Sequence, residues 1–80
     1  MDKVQNELRE ALRCPLTKRM MSDPVIMLHD YWVNGGGLLM RGVSYEKDAV
    51  KHYVGAQFVR NEALYHCIKD YKEHFKRKLE

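Results

Sequence analysis

Cysteine and long apolar runs are both scarce in this sequence, and each scarcity closes off a class of protein. Cys14 and Cys67 are the only cysteines, so one disulfide at most is available. No Cys-x-x-Cys or paired Cys/His spacing supplies the four close ligands of a structural zinc. No apolar run approaches the ~20 residues that cross a bilayer. The opening MDKVQNELRE lacks the apolar core of a secretory signal, which predicts a soluble, cytoplasmic protein. Two cysteines in such a protein are expected to stay reduced. Lysine and arginine exceed acidic residues by 14 to 11, but Lys76, Arg77 and Lys78 supply much of that excess where cations complement a helix C-terminus. With no aromatic-basic platform and no DNA-binding motif, neither nucleic acid nor membrane is expected as a partner. Repeats and low-complexity stretches are also missing.

What is present fits one domain spanning residues 1–80. A chain of 80 residues buries only about 60% of the surface its unfolded form exposes, so its packing must be economical. Val4, Leu8, Ala11 and Leu12 recur at helical spacing and predict an N-terminal helix over 2–12, closed by Pro15. Residues 14–42 are turn-rich and extended. Asp23-Pro24 marks a turn and Val25-Ile26-Met27-Leu28 a strand, while Tyr31-Trp32-Val33 and Leu38-Leu39-Met40 flank a glycine-rich tip and predict a hairpin. Ser44 is placed as an N-cap for a central helix over 45–54, with Glu46 in its first turn and Gly55 at its end. Asn61 is the N-cap of a longer helix over 61–78, whose stripe runs through Leu64, Cys67, Ile68, Tyr71, Phe75 and Leu79. The expected fold class is α+β.

The most specific stretch is Cys14-Pro15-Leu16, four spacer residues, Met21, Ser22, then Asp23-Pro24-Val25. It resembles the opening of the U-box family of ubiquitin ligases: a Cys-Pro-Ile-like triplet, four spacers, Met, any residue, Asp-Pro-Val. Gly42-Val43-Ser44-Tyr45-Glu46-Lys47 resembles that family's Gly-x-Thr-Tyr-Glu-Arg, and Phe58-Val59-Arg60-Asn61-Glu62-Ala63-Leu64 resembles its Leu-Ile-Pro-Asn-x-Ala-Leu. Val50 and Tyr53 fall where the family keeps an aliphatic residue and a Trp. Each block alone is weak; three in the right order across residues 12–72 are specific.

The resemblance implies a small, zinc-free, RING-like domain that binds a ubiquitin-conjugating enzyme carrying ubiquitin. Such a domain promotes transfer to a lysine of a protein substrate by positioning, with no catalytic residue, covalent intermediate, cofactor or metal of its own. It implies enzyme contacts at Pro15, Leu16, Thr17, Lys18, Val50 and Tyr53, with Leu16 and Tyr53 as apolar anchors inside a basic rim. It implies structural roles for Cys14, Met21, Asp23, Pro24, Tyr45, Glu46 and Asn61. The related RING fold needs eight zinc ligands, whereas the cysteines with His29, His52, His66 and His74 total six. The histidines from 52 onward are expected to be exposed helix residues.

Two departures stand out. Residues 27–41 intervene between the first two blocks and are expected to form an extended hairpin. The family's second loop, with its own Cys-Pro-x-Thr triplet and basic residue, has no counterpart, since only Ala56 and Gln57 separate Gly55 from Phe58. Shortened, divergent U-boxes of this kind resemble those of bacterial effectors that imitate ligases in the host cytosol. The competing reading is a non-catalytic interaction module that kept the fold and lost productive enzyme activation. Cys67 is expected to be a buried small hydrophobe. Trp32 is either a hairpin core residue or an exposed anchor, and the outer end of the last stripe either core or a homodimer contact.

Overall fold

A computed structural model describes residues 9–79, with side chains through His74. The predicted helix over 2–12 falls mostly outside the described residues; its visible part is helical at 9–11 and ends in turn bonds from the Leu12 and Arg13 amides to the Arg9 and Glu10 carbonyls. Five strands and two helices follow: β1 (Pro24–Met27), β2 (Tyr31–Val33), β3 (Gly37–Leu39), β4 (Ser44–Glu46), α1 (Lys47–Val50), β5 (Phe58–Arg60) and α2 (Glu62–Leu79). The class is α+β, with two antiparallel sheets.

β1 is the middle strand of the larger sheet, in the order β4-β1-β5. Val25 lies opposite Tyr45 on one side and Arg60 on the other. β1 is almost wholly buried because a neighbour flanks it on both edges and the core covers one face; only Ile26 is partly open. β2 and β3 form the predicted hairpin, with Tyr31 opposite Leu39 and Trp32 opposite Leu38. Gly35 and Gly36 turn its tip at φ near +100°, where a side chain would be strained. Alternation sends Tyr31, Val33 and Leu39 toward the core and leaves Trp32 71% exposed on the other face. Trp32 is therefore not a core residue of the hairpin.

The core is Leu12, Cys14, Met21, Val25, Met27, Leu39, Tyr45, Val50 and Ile68. Two methionines at its centre suit a small, irregular interior, since their flexible stems fill gaps that branched side chains leave.

Three expectations are corrected. The central helix does not span 45–54. Ser44, Tyr45 and Glu46 are recruited to β4, with Glu46 as an extended N-cap that makes no side-chain cap bond, and the helix is the single turn Lys47–Val50. Beyond it, Tyr53 N–H donates to Val50 O and Ala56 N–H to Tyr53 O, which are tighter i to i−3 turns. Gly55, at φ +84°, reverses the chain. Pairing with β1 outweighed the N-cap preference of Ser44, and the β-branched and aromatic run His52-Tyr53-Val54 is a weak helix former. Secondly, Cys67 is exposed. It lies about 60° off the Leu64 line at about 100° per residue, and the body of the protein covers only the narrower arc of Leu64, Ile68 and Tyr71. Thirdly, His52 is exposed but sits in the turn after α1 rather than on a helix. The side chains of Phe75 and Leu79, and with them the homodimer question, lie outside the described residues.

Candidate functional site

The Cys14-Pro15-Leu16 triplet sits at the neck of a closed loop. Residues 12–14 and 19–21 run antiparallel: Met21 N–H donates to Leu12 O (2.9 Å), Cys14 N–H to Arg19 O (2.8 Å), and Arg13 bridges Met20. Lys18 N–H donates back to Cys14 O at 2.8 Å. That closure holds Lys18 at φ +63°, a left-handed conformation that costs a non-glycine residue about 1 kcal/mol or more. The loop keeps this pose because both strands of its neck are pinned. Leu16 projects from the tip, 46% exposed, and Pro15, Thr17, Lys18 and Arg19 around it are also exposed.

Below the tip, polar contacts tie the loop to β4 and to the starts of both helices. The Glu46 carboxylate accepts Ser22 N–H at Oε1 (2.9 Å) and Asp23 N–H at Oε2 (2.8 Å). Its own backbone N–H points at Cys14 Sγ, 3.3 Å away. Burial pushes the Cys14 thiol up, but backbone donors from Glu46, Thr17 and Leu16 and the Thr17 hydroxyl outweigh it, so its pKa lies below the ordinary 9.0. With 1% exposure the sulfur is a structural acceptor; no nucleophile faces solvent there. Asp23 O accepts Lys47 N–H (3.0 Å) at the start of α1, and Pro24 O accepts Asn61 N–H (2.9 Å) at the start of α2. Asn61 Oδ1 caps Leu64 N–H at 3.0 Å while Nδ2 donates to Ser44 Oγ at 3.0 Å. Tyr45 is buried and its hydroxyl accepts Met40 N–H (3.0 Å). Met21 fills the core between these struts.

An open cleft of about 370 Å³ separates the loop from α1, lined by Thr17, Arg19, Ser22, Glu46, Asp48 and Ala49 among others. Among the contacts expected from the resemblance, Pro15, Leu16, Thr17 and Lys18 share one exposed loop. Val50 does not join them: at 0% exposure it has no surface to offer and can only support from behind. Tyr53 is half-buried, in the turn after α1. Its ring lies 5.7 Å from that of Tyr31 and 4.2 Å from that of His52. Arg60, which stands where the family keeps Pro, is committed to the base of α2. It donates to Asp23 Oδ1 (3.2 Å), lies 3.9 Å from Glu62 and covers the Tyr65 ring at 4.8 Å.

Sequence reasoning missed the partners of Tyr53. Tyr31 donates its hydroxyl to Val54 O at 2.7 Å, and His29 Nε2 accepts Gln57 N–H at 3.2 Å. The inward alternation of Tyr31 was the only available signal, and nothing local marks a loop histidine as an acceptor for a distant amide. Among the described residues no group of three or more His, Cys, Asp or Glu side chains is placed to hold a metal ion, and no helix is long and apolar enough to cross a membrane. Comparison with protein-family models, curated proteins and solved structures finds no significant match, so the resemblance to the U-box family rests on the motifs of this sequence alone.

Proposed function

We propose that this chain is a U-box-like ubiquitin ligase domain that docks a ubiquitin-conjugating enzyme through the Leu16 loop and Tyr53. The observation that carries the reading is Leu16 itself: a large apolar side chain held out from a loop whose neck is pinned by Cys14, Arg19 and Met21. Leu16 is 46% exposed, so burying what remains open stabilises a complex by about 1 kcal/mol, and the closed loop keeps the ordering cost of docking low. Lys18 and Arg19 form a cationic rim that speeds encounter with an acidic partner and makes the rate sensitive to salt. The domain contributes no nucleophile. It acts on the thioester of its partner by holding ubiquitin in a reactive pose, and the acceptor is a lysine of a protein substrate.

A second reading is a non-catalytic binding module. One observation favours it: the stretch between Gly55 and β5 holds only Ala56 and Gln57, so the family's second loop and its cation have no counterpart at that place, and Arg60 beside it is engaged by Asp23.

Discharge of ubiquitin from a charged conjugating enzyme separates the two. The chain is incubated with a panel of charged enzymes beside Leu16→Ala, and loss of the thioester and appearance of ubiquitin on lysine are followed. The ligase reading expects acceleration with at least one enzyme, reduced tenfold or more by Leu16→Ala in a domain that remains folded. Binding without acceleration supports the module, and neither binding nor acceleration across the panel removes the ligase reading and leaves an interaction module whose partner is another protein.

A further inference from the structure

The anchor Tyr53 sits on a stretch with little structure of its own. From residue 51 to 57 the local support is one bond closing α1, Lys51 N–H to Lys47 O, and the two i to i−3 turns. Tyr53 and Ala56 also pack against the core, and the remaining hydrogen bonds that hold the stretch come from the base of the hairpin. The Tyr31 hydroxyl takes Val54 O at 2.7 Å, and the Tyr31 ring lies 5.7 Å from Tyr53 at 38°. His29 Nε2 accepts Gln57 N–H at 3.2 Å, and because an amide can only donate, the ring proton sits on Nδ1, which donates to Asp30 O at 2.8 Å. Leu28 N–H closes the corner on Gln57 O at 3.0 Å. Tyr31 is in turn fixed by its register opposite Leu39, which is buried in the core. A continuous path therefore runs from the core through Leu39 and Tyr31 to Tyr53. Val54, beside it, is 91% exposed and contributes its carbonyl, not its side chain.

We propose that the base of the β2–β3 hairpin is a positioning device for Tyr53, in which Tyr31 and His29 hold the stretch after α1 in the pose that docks the conjugating enzyme. The proposal rests on the docking reading above and adds the residues that make its second anchor rigid. Tyr31 is a positioning residue: it acts through Tyr53, while Trp32, on the opposite face of the same strand, takes no part.

Tyr31→Phe removes the hydroxyl and keeps both rings. Amide hydrogen exchange of Val54 to Gln57 is expected to speed up with the global unfolding midpoint nearly unchanged. Affinity for the conjugating enzyme that binds the unaltered chain should fall about three- to tenfold, the range of one net hydrogen bond. In a Tyr53→Ala background the same change should have no further effect on affinity, the non-additivity expected of residues acting as one unit. Trp32→Ala should leave exchange and affinity alone. Faster exchange with unchanged affinity overturns the proposal, as does a Tyr31→Phe loss that persists in full when Tyr53 is alanine. A loss caused by Trp32→Ala and not by Tyr31→Phe also overturns it, since the hairpin would then touch the partner directly. If the unaltered chain binds no conjugating enzyme, the docking reading has failed first and the proposal falls with it, an outcome distinct from binding that survives Tyr31→Phe.

Discussion

A carboxylate that accepts two consecutive backbone N–H groups, as Glu46 does from Ser22 and Asp23, does what a bound cation cannot do for amide donors and what water does only loosely. Both oxygens are used, so Glu46→Gln turns one acceptor into an NH₂ group facing another donor. The expected cost is about 1–3 kcal/mol, read as a lower denaturation midpoint, with selective loosening of the Ser22–Asp23 amides in hydrogen exchange. Cys14 offers a second test at this scale. Its pKa is lowered on folding because, although burial raises it, the Glu46, Leu16 and Thr17 donors favour the thiolate. Below the folded pKa both states are protonated and the group contributes nothing. As pH rises from there toward 9.0, the unfolded chain holds more protons, so this group makes the fold more stable with rising pH. Denaturant titrations between pH 7 and 9 should show that rise, and Cys14→Ala should flatten it whatever it does to overall stability. An identical slope in both proteins would rule out this account of the thiol.

Elements this short do not stand alone. α1 is one turn, and β4 and β5 have three residues each; they exist because β1 runs between the two strands and the backbone of Asp23 and Pro24 reaches the first residues of both helical segments. Asn61 concentrates that dependence, since it caps α2 and reaches β4 through Ser44. Asn61→Ala is expected to cost about 1–2 kcal/mol, and Asn61→Asp clearly less, because a carboxylate keeps the cap and loses only the donation to Ser44; thermal unfolding of both variants decides it. The hairpin and α2 were legible in the sequence because their signals are local: paired short apolar runs around glycines, and a stripe behind an Asn cap. The central helix misled because Ser44-Tyr45-Glu46 satisfies the rules for a helix start and equally those for a strand, and only a partner 20 residues away chooses. Phe58-Val59-Arg60 was passed over as a lead-in to α2 for the same reason. Within the site, the placing of Leu16 on a loop was legible from the triplet that precedes the spacer residues, while the neck that closes that loop is a pairing the pattern does not announce. The brace on Tyr53 was not legible either, because a tyrosine hydroxyl finding a carbonyl 23 residues on leaves no mark in local pattern. Val50 shows the limit of carrying roles by position: the stripe that placed it on the central helix placed it equally well in the core, and the core took it.

At the scale of the whole molecule, apolar surface is left out where the fold has no means to cover it. Leu16 stands on its loop, Trp32 on the outer face of the hairpin, Val59 on β5 and Leu28 in the bend after β1. A small domain has too little interior to hide every large side chain, so exposure by itself does not mark an interface. What distinguishes Leu16 is its place at the tip of a loop that is cross-bonded at the neck and tied to Glu46 through Cys14, whereas Trp32 and Val59 lie on strands. The central claim is therefore that this loop, with Tyr53 beside α1, meets a ubiquitin-conjugating enzyme. The most direct test is to label the chain with nitrogen-15 and follow its amide resonances as unlabelled conjugating enzymes are added one at a time. At least one enzyme should shift residues 16–19 and 51–55, leave the Trp32 face untouched, and lose its effect on Leu16→Ala. No shifts with any enzyme, or shifts centred on Trp32 and Leu38 with the Leu16 loop silent, would contradict the account.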